Sequence, residues 1–119
     1  MRHPESDLQK ACINWFRYRY SHLSKLCFSV PNGGFRNARE AARMKAEGVV
    51  AGASDIILLV GRGGYNALCI ELKTEKGRQT ELQREWQKEA ERNGNRYVIM
   101  RSLEEFINLI NNYLNNENM

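Results

Sequence analysis

Glu71 and Lys73 stand two residues apart in Cys69-Ile-Glu-Leu-Lys73, at the end of an apolar run. In an extended strand residues i and i+2 project from one face, so the carboxylate and the ammonium share a side while Ile70 and Leu72 take the other. A strand leaving a core explains such charges equally well, so the pair alone does not imply chemistry. A second carboxylate changes that reading. Asp55 opens the preceding apolar run, Asp55-Ile-Ile-Leu-Leu-Val60, and the two runs flank Gly61-Arg-Gly-Gly64, the composition of a β-hairpin. With the turn centred on Gly63, Asp55 and Glu71 are equally far from it and fall opposite one another. Directly opposed side chains in an antiparallel pair lie about 5 Å apart at Cβ, and two carboxylates so placed repel unless a cation joins them. A hard divalent ion such as Mg2+ is held by one or two carboxylates together with water and phosphate oxygens. Lys73, just beyond on the same face, is placed to position or help deprotonate an attacking water, or to stabilise charge developing on phosphate. The chemistry these types predict is metal-assisted phosphodiester hydrolysis.

Further candidates surround this trio. Glu5 lies close to the inward stripe of a first helix, where it reads either as an additional ligand or as an acid that suits the helix macrodipole. Gln83 closes Thr80-Glu-Leu-Gln83, a capping box, and reads both as a structural cap and as an active-site contact. Asn32, Gly33, Gly34 and Arg36, in a turn that feeds a helix, suit the approach of a phosphate, backed by Arg39 and Arg43. Tyr18, Tyr20 and Phe35 are candidates for stacking on bases, with packing as the competing role. Gly61-Arg-Gly-Gly64 lacks the phosphate-loop pattern, so no nucleotide cofactor is expected. No His and Cys set has zinc-site spacing.

The elements that must position these residues follow from periodicity. Residues 5–20 carry Leu8, Ala11, Cys12, Trp15 and Phe16 at helical spacing. Residues 26–30 read as a short strand, 36–47 as a helix, 55–60 and 65–73 as the hairpin, 80–93 as a helix, 97–100 as a strand and 103–114 as a closing helix. The order α-β-α-β-β-α-β-α, with a near-continuously apolar hairpin, predicts a mixed central sheet flanked by helices. The 119 residues are read as one domain over 1–119, with the Asn-rich tail 115–119 expected to fray.

Composition narrows the function classes. Residues 1–45 hold nine Lys and Arg against three acids, a local charge of +6, whereas the remainder carries −2. Concentrated basic charge suits a polyanion such as nucleic acid. Cys12, Cys27 and Cys69 sit in apolar surroundings without C-x-x-C spacing, as small core residues in a reducing compartment do. No run approaches a membrane span and no secretory leader is present, so a soluble intracellular protein without a membrane partner is expected.

The ordered set Gly52-Ala-Ser-Asp55, Glu71-Leu-Lys73, Gly77 and Gln83 resembles the VRR-NUC domain, a branch of the PD-(D/E)xK nuclease superfamily. Val30-Pro-Asn-Gly-Gly34, the Ala41-Ala42 helix and Gly48-Val-Val-Ala-Gly52 are similar to its compact phage-type members, and the resemblance runs over almost the whole chain. It implies a restriction-endonuclease-like fold and a Mg2+- or Mn2+-dependent DNA endonuclease. Asp55 and Glu71 then match the metal-binding acids, the Leu72 backbone carbonyl supplies a further ligand oxygen, and Lys73 matches the catalytic lysine. Glu5 matches a first-helix acid of related junction resolvases, and Gln83 a glutamine beside the active site. Ser54 stands where the superfamily name has proline, a departure expected to alter loop stiffness and leave metal binding intact. The resemblance further implies branched DNA, such as four-way (Holliday) junctions, as substrate and a homodimer as the active unit. Cleavage of flaps, nicks or duplex by the same chemistry, and a non-catalytic DNA-binding module, are the alternatives.

Overall fold

The computed structural model describes residues 4–32 and 37–115. Helix α1 (Pro4–Arg19) begins at a proline, whose missing N–H has no helical partner to lose, and places Glu5 and Asp7 in the first turn beside the positive end of the helix dipole. A 3₁₀ helix (Ser21–Leu26) leads into β1 (Cys27–Ser29), and α2 (Ala38–Ala46) follows. The hairpin strands are β2 (Ile56–Leu58) and β3 (Leu68–Leu72), followed by α3 (Glu81–Arg92), β4 (Arg96–Met100) and α4 (Leu103–Leu114). The 3₁₀ helix is the element that the hydrophobic pattern did not announce. Helix starts are capped as the side chains dictate: Asn37 accepts from the Glu40 N–H, Thr80 from Gln83 and Ser102 from Glu105. Among the described residues no helix is long and apolar enough to cross a membrane.

The four strands form one sheet in the order β1-β2-β3-β4. β1 with β2 and β2 with β3 are antiparallel, whereas β3 and β4 run parallel because α3 carries the chain back to the starting end of the sheet. In the hairpin Ile56 opposes Ile70 and Leu58 opposes Leu68, so the register is symmetric about Gly63, as expected. The tip differs. Arg62 bridges Tyr65 around Gly63 and Gly64, whose φ values of 60° and 85° make a two-residue turn that only residues tolerant of positive φ enter readily. One extra residue on the first strand between Leu58 and Arg62 reconciles the tip with the ladder, as in a bulge. The regular strands are accordingly shorter than the apolar runs.

One face of the sheet packs on α1 and α4. Ile56, Leu58, Leu68, Ile70 and Leu72 form a single buried cluster there with Cys12, Phe16, Phe106 and Ile110. Phe106 is fully buried, and its truncation to alanine is expected to cost about 3–5 kcal/mol. Most aromatic residues of the helices are satisfied within the chain. Phe16 and Phe106 are wholly buried, Trp15 meets Tyr20 and Phe106 edge-on, Tyr113 donates to the Val60 carbonyl, and Trp86 tilts against Tyr97. Tyr20, a candidate base-stacking platform, is buried, and its hydroxyl donates to Asn111 Oδ1 at 2.6 Å, so its ring belongs to the core. Tyr18 is 88% exposed. All three cysteines are free and buried, and burial pushes the Cys12 and Cys27 thiols up to about 12.

Candidate active site

The other face of the sheet carries the charged residues. Asp55 sits immediately before β2, where its backbone carbonyl accepts the Val30 N–H at 2.8 Å. Its side chain takes the place of a further ladder rung. Oδ2 accepts the Leu72 N–H at 2.7 Å and Oδ1 accepts Asn32 Nδ2 at 2.8 Å, while the same Asn32 amide donates to the Ala53 carbonyl. Charge-assisted hydrogen bonds from two sides hold the carboxylate in one orientation.

Glu71 lies opposite, near the end of β3, and is 1% exposed. Tyr97 on β4 donates to Oε1 at 3.3 Å and Gln83 Nε2 donates to Oε2 at 3.1 Å. Burial pushes the Glu71 carboxyl up to about 8, and the adjacent Asp55 carboxylate adds to the rise both through its charge and by sharing the proton; Lys73 and the Tyr97 hydroxyl act in the opposite direction. The two acids placed opposite one another by the register line one pocket, and Glu71 favours its protonated form near neutral pH.

Gln83 both caps α3 and hydrogen-bonds Glu71. Its backbone N–H donates to Thr80 Oγ1 at 3.2 Å, its Oε1 accepts the Thr80 N–H at 2.8 Å, and its Nε2 remains free for Glu71. The cap thereby fixes the side chain that orients the buried acid. Lys73, 7% exposed, follows β3 and donates its backbone N–H to the Met100 carbonyl. A Cβ at Gly77 would come within 3.4 Å of Lys73 Cδ, so the glycine leaves room for the lysine stem. Arg101 staples the loop between them, donating to the carbonyls of Thr74 at 2.8 Å and Gly77 at 2.6 Å.

A pocket of about 350 Å³ opens over the acids, lined by Glu5, Asn32, Gly52, Asp55, Glu71 and Gln83 among others. Gly52 forms its wall: with φ of 93° it approaches α3 so closely that a Cβ would lie 2.6 Å from the Leu82 carbonyl oxygen. Glu5 thus shares the pocket with Asp55 and Glu71. Among the described residues, however, no three His, Cys, Asp or Glu side chains converge tightly enough to hold a metal ion by themselves. Lys73 does not line the pocket, although its charge acts on Glu71 from the same strand face.

The basic candidates divide. Gly33, Gly34, Phe35 and Arg36 lie outside the described residues, as does the tail beyond Asn115. Arg39 and Arg43 are exposed on α2, and Arg43 pairs with Glu47 at 3.3 Å. Asn32, expected to face phosphate, spends its amide on Asp55 and Ala53. Tyr97 and Arg101 escaped the sequence reading because their roles depend on the parallel β3–β4 register, which pairs Cys69 with Tyr97 across elements far apart in sequence.

Two carboxylates at the mouth of a hairpin, a lysine two residues after the second, and a mixed sheet between helices define a nuclease class of fold and site. The model of the VRR-NUC domain matches residues 3–104, and the chain belongs to that family of nuclease domains. A solved structure described as a VRR_NUC domain protein superposes with a TM-score of 0.81 at 26% sequence identity, covering 96% of this chain and 90% of that one. No curated protein matches the chain.

Proposed function

We propose that this nuclease domain is a metal-dependent DNA endonuclease that hydrolyses phosphodiester bonds in branched DNA such as four-way junctions. The observation that carries the reading is that Asp55 and Glu71 line one pocket, where burial and the neighbouring carboxylate favour a proton on Glu71 that a divalent cation would replace. Mg2+ or Mn2+ suits this donor set of two carboxylates in a pocket with room for water and a phosphate oxygen. The Leu72 carbonyl is a further donor, since in a strand it points the same way as the N–H that meets Asp55. Bound there, the ion would polarise the phosphoryl oxygen and activate water.

The protein's own groups do the positioning. Asn32 and the Leu72 N–H hold Asp55, while Gln83 and Tyr97 hold Glu71. Lys73, which acts on Glu71 from the same strand face but does not line the pocket, would supply the cation that orients the attacking water or offsets charge developing on phosphate. Glu5, which lines the same pocket, is the further candidate ligand. Arg36, Arg39 and Arg43 bind backbone phosphates. The branched substrate is supported by the resemblance to junction-resolving relatives, since no residue in the chain encodes a DNA shape.

The test is cleavage of labelled four-way, flap, nicked and linear DNA with Mg2+, Mn2+ or chelator. The proposal expects metal-dependent cutting, greatest on the four-way junction and reduced by orders of magnitude in Lys73→Ala and Asp55→Asn proteins that still bind DNA. Binding indifferent to chelator without cleavage under any metal would instead make the protein a DNA-binding module. A homodimer supplies the second site that paired cuts across a junction require. Phe16, Phe106 and Tyr113 are buried within the subunit and Trp15 and Trp86 pack on its own aromatic rings, so two-fold pairing is supported by that need and by the resemblance. Light scattering with and without a junction decides it, and a monomer making paired symmetric cuts would overturn it.

A further inference from the structure

A second groove, of about 420 Å³, lies between α1 and β1 and has no part in the site described above. One wall is the α1 stripe of Gln9, Ile13 and Arg17, with Lys10 and Asn14 beside it; the other is Phe28 and Ser29 on β1. No carboxylate lines it. Among the described residues neither Lys10 nor Arg17 belongs to an ion pair, whereas Arg43, Arg84 and Arg92 each hold a glutamate.

The second wall adds a backbone donor. β1 is an edge strand, and its bonds to β2 run from Leu26, whose carbonyl accepts from Leu59, and from Val30, whose N–H donates to Asp55. Alternation along the strand turns the Ser29 N–H away from β2, toward the open edge. The groove therefore offers an ammonium, a guanidinium, two side-chain amides and a main-chain N–H, a set of donors that suits phosphate oxygens. A second copy of this basic surface would bring like charges together.

Both walls lead to the carboxylates. Glu5, Gln9, Ile13 and Arg17 recur at four-residue steps, so the stripe runs about 18 Å along α1 from the pocket that Glu5 lines. Three residues after Ser29 the chain reaches Asn32, which holds Asp55. We propose that this groove carries a nucleic-acid strand away from the cleavage site, with Lys10 and Arg17 contacting successive stretches of its phosphate backbone. The assignment rests on the nuclease reading for its direction, and its ligand class is the phosphodiester backbone regardless of base sequence.

The test is the salt dependence of binding, measured in chelator, for the Lys10→Ala/Arg17→Ala protein against single-stranded, duplex and four-way oligonucleotides. Loss of two phosphate contacts should flatten the slope of log K against log salt by about 1.4 for a single strand and about 1.8 for duplex. In metal, KM should rise while kcat at saturating DNA stays at the wild-type value. A Lys88→Ala/Arg92→Ala protein, which loses the same charge from exposed positions on α3, should leave the slope unchanged. An unaltered slope in the groove variant, or an equal change in the α3 control, overturns the proposal. So does light scattering that shows the groove substitutions dissociating a dimer, which would make the β1 edge a contact between copies. If the slope flattens as expected but the wild-type protein cuts no DNA, the groove stands and the catalytic reading falls; cleavage with an unaltered slope removes the groove alone.

Discussion

Replacing Glu71 by glutamine should stabilise the metal-free protein while abolishing cleavage. The carboxyl is buried beside Asp55 and pushed from 4.5 to about 8, so the folded state holds a proton that the unfolded chain releases. Because the folded value lies above the unfolded one, the stabilising contribution is complete below pH 4.5 and is lost as pH rises to about 8. At about 1.4 kcal/mol per pH unit the full loss is about 5 kcal/mol, an upper bound because water reaches the pocket mouth. Glutamine keeps the volume, can accept from Gln83 and can offer its amide to Asp55, without the charge. In urea, with chelator present, the variant and wild type should match near pH 4 and diverge toward pH 8.5, with a midpoint difference on the order of 2 M. Adding Mg2+ or Mn2+ should raise the midpoint of wild type alone, since binding to the folded state stabilises by mass action. A variant no more stable than wild type at pH 8.5, or a difference independent of pH, would refute the placement of Glu71 as a buried acid crowded by Asp55.

The same proton makes metal affinity depend on pH: between pH 6 and 8 calorimetric titration should show about tenfold tighter binding per unit, and a flat profile would mean that Glu71 is not a ligand. Gly52→Ala would force a Cβ against the Leu82 carbonyl at a positive φ, so a loss of about 1–3 kcal/mol from backbone strain, with further loss from the clash and lowered cleavage, is expected in urea and activity assays. Thr80→Ala removes the hydroxyl cap for about 1 kcal/mol and should retain most cleavage, whereas Gln83→Ala keeps that cap but removes the acceptor of the Thr80 N–H and the hydrogen bond to Glu71, and should lose both stability and rate. Equal cleavage by these two proteins would confine Gln83 to capping.

Much of the arrangement of the charged residues was legible in one dimension because a hairpin is local. A glycine-rich turn and side-chain alternation placed Asp55 against Glu71, and the ladder has the symmetry about Gly63 that this required, even though the turn itself closes on Gly63 and Gly64. The capping box of Thr80 and Gln83 was equally visible, being confined to four residues. What the sequence could not determine depended on elements distant along the chain. Asn32 meets Asp55 through the pairing of β1 with β2, Tyr97 reaches Glu71 through a parallel register, and Arg101 closes the loop after Lys73 across the same strand pair. Tyr20 looked available for stacking on bases because the spacing around it leaves open what covers it; α1, α4 and the sheet enclose it in one core. The raised pKa of Glu71 likewise belongs to the tertiary structure, because burial and the closeness of a second carboxylate arise only when both faces of the sheet are packed.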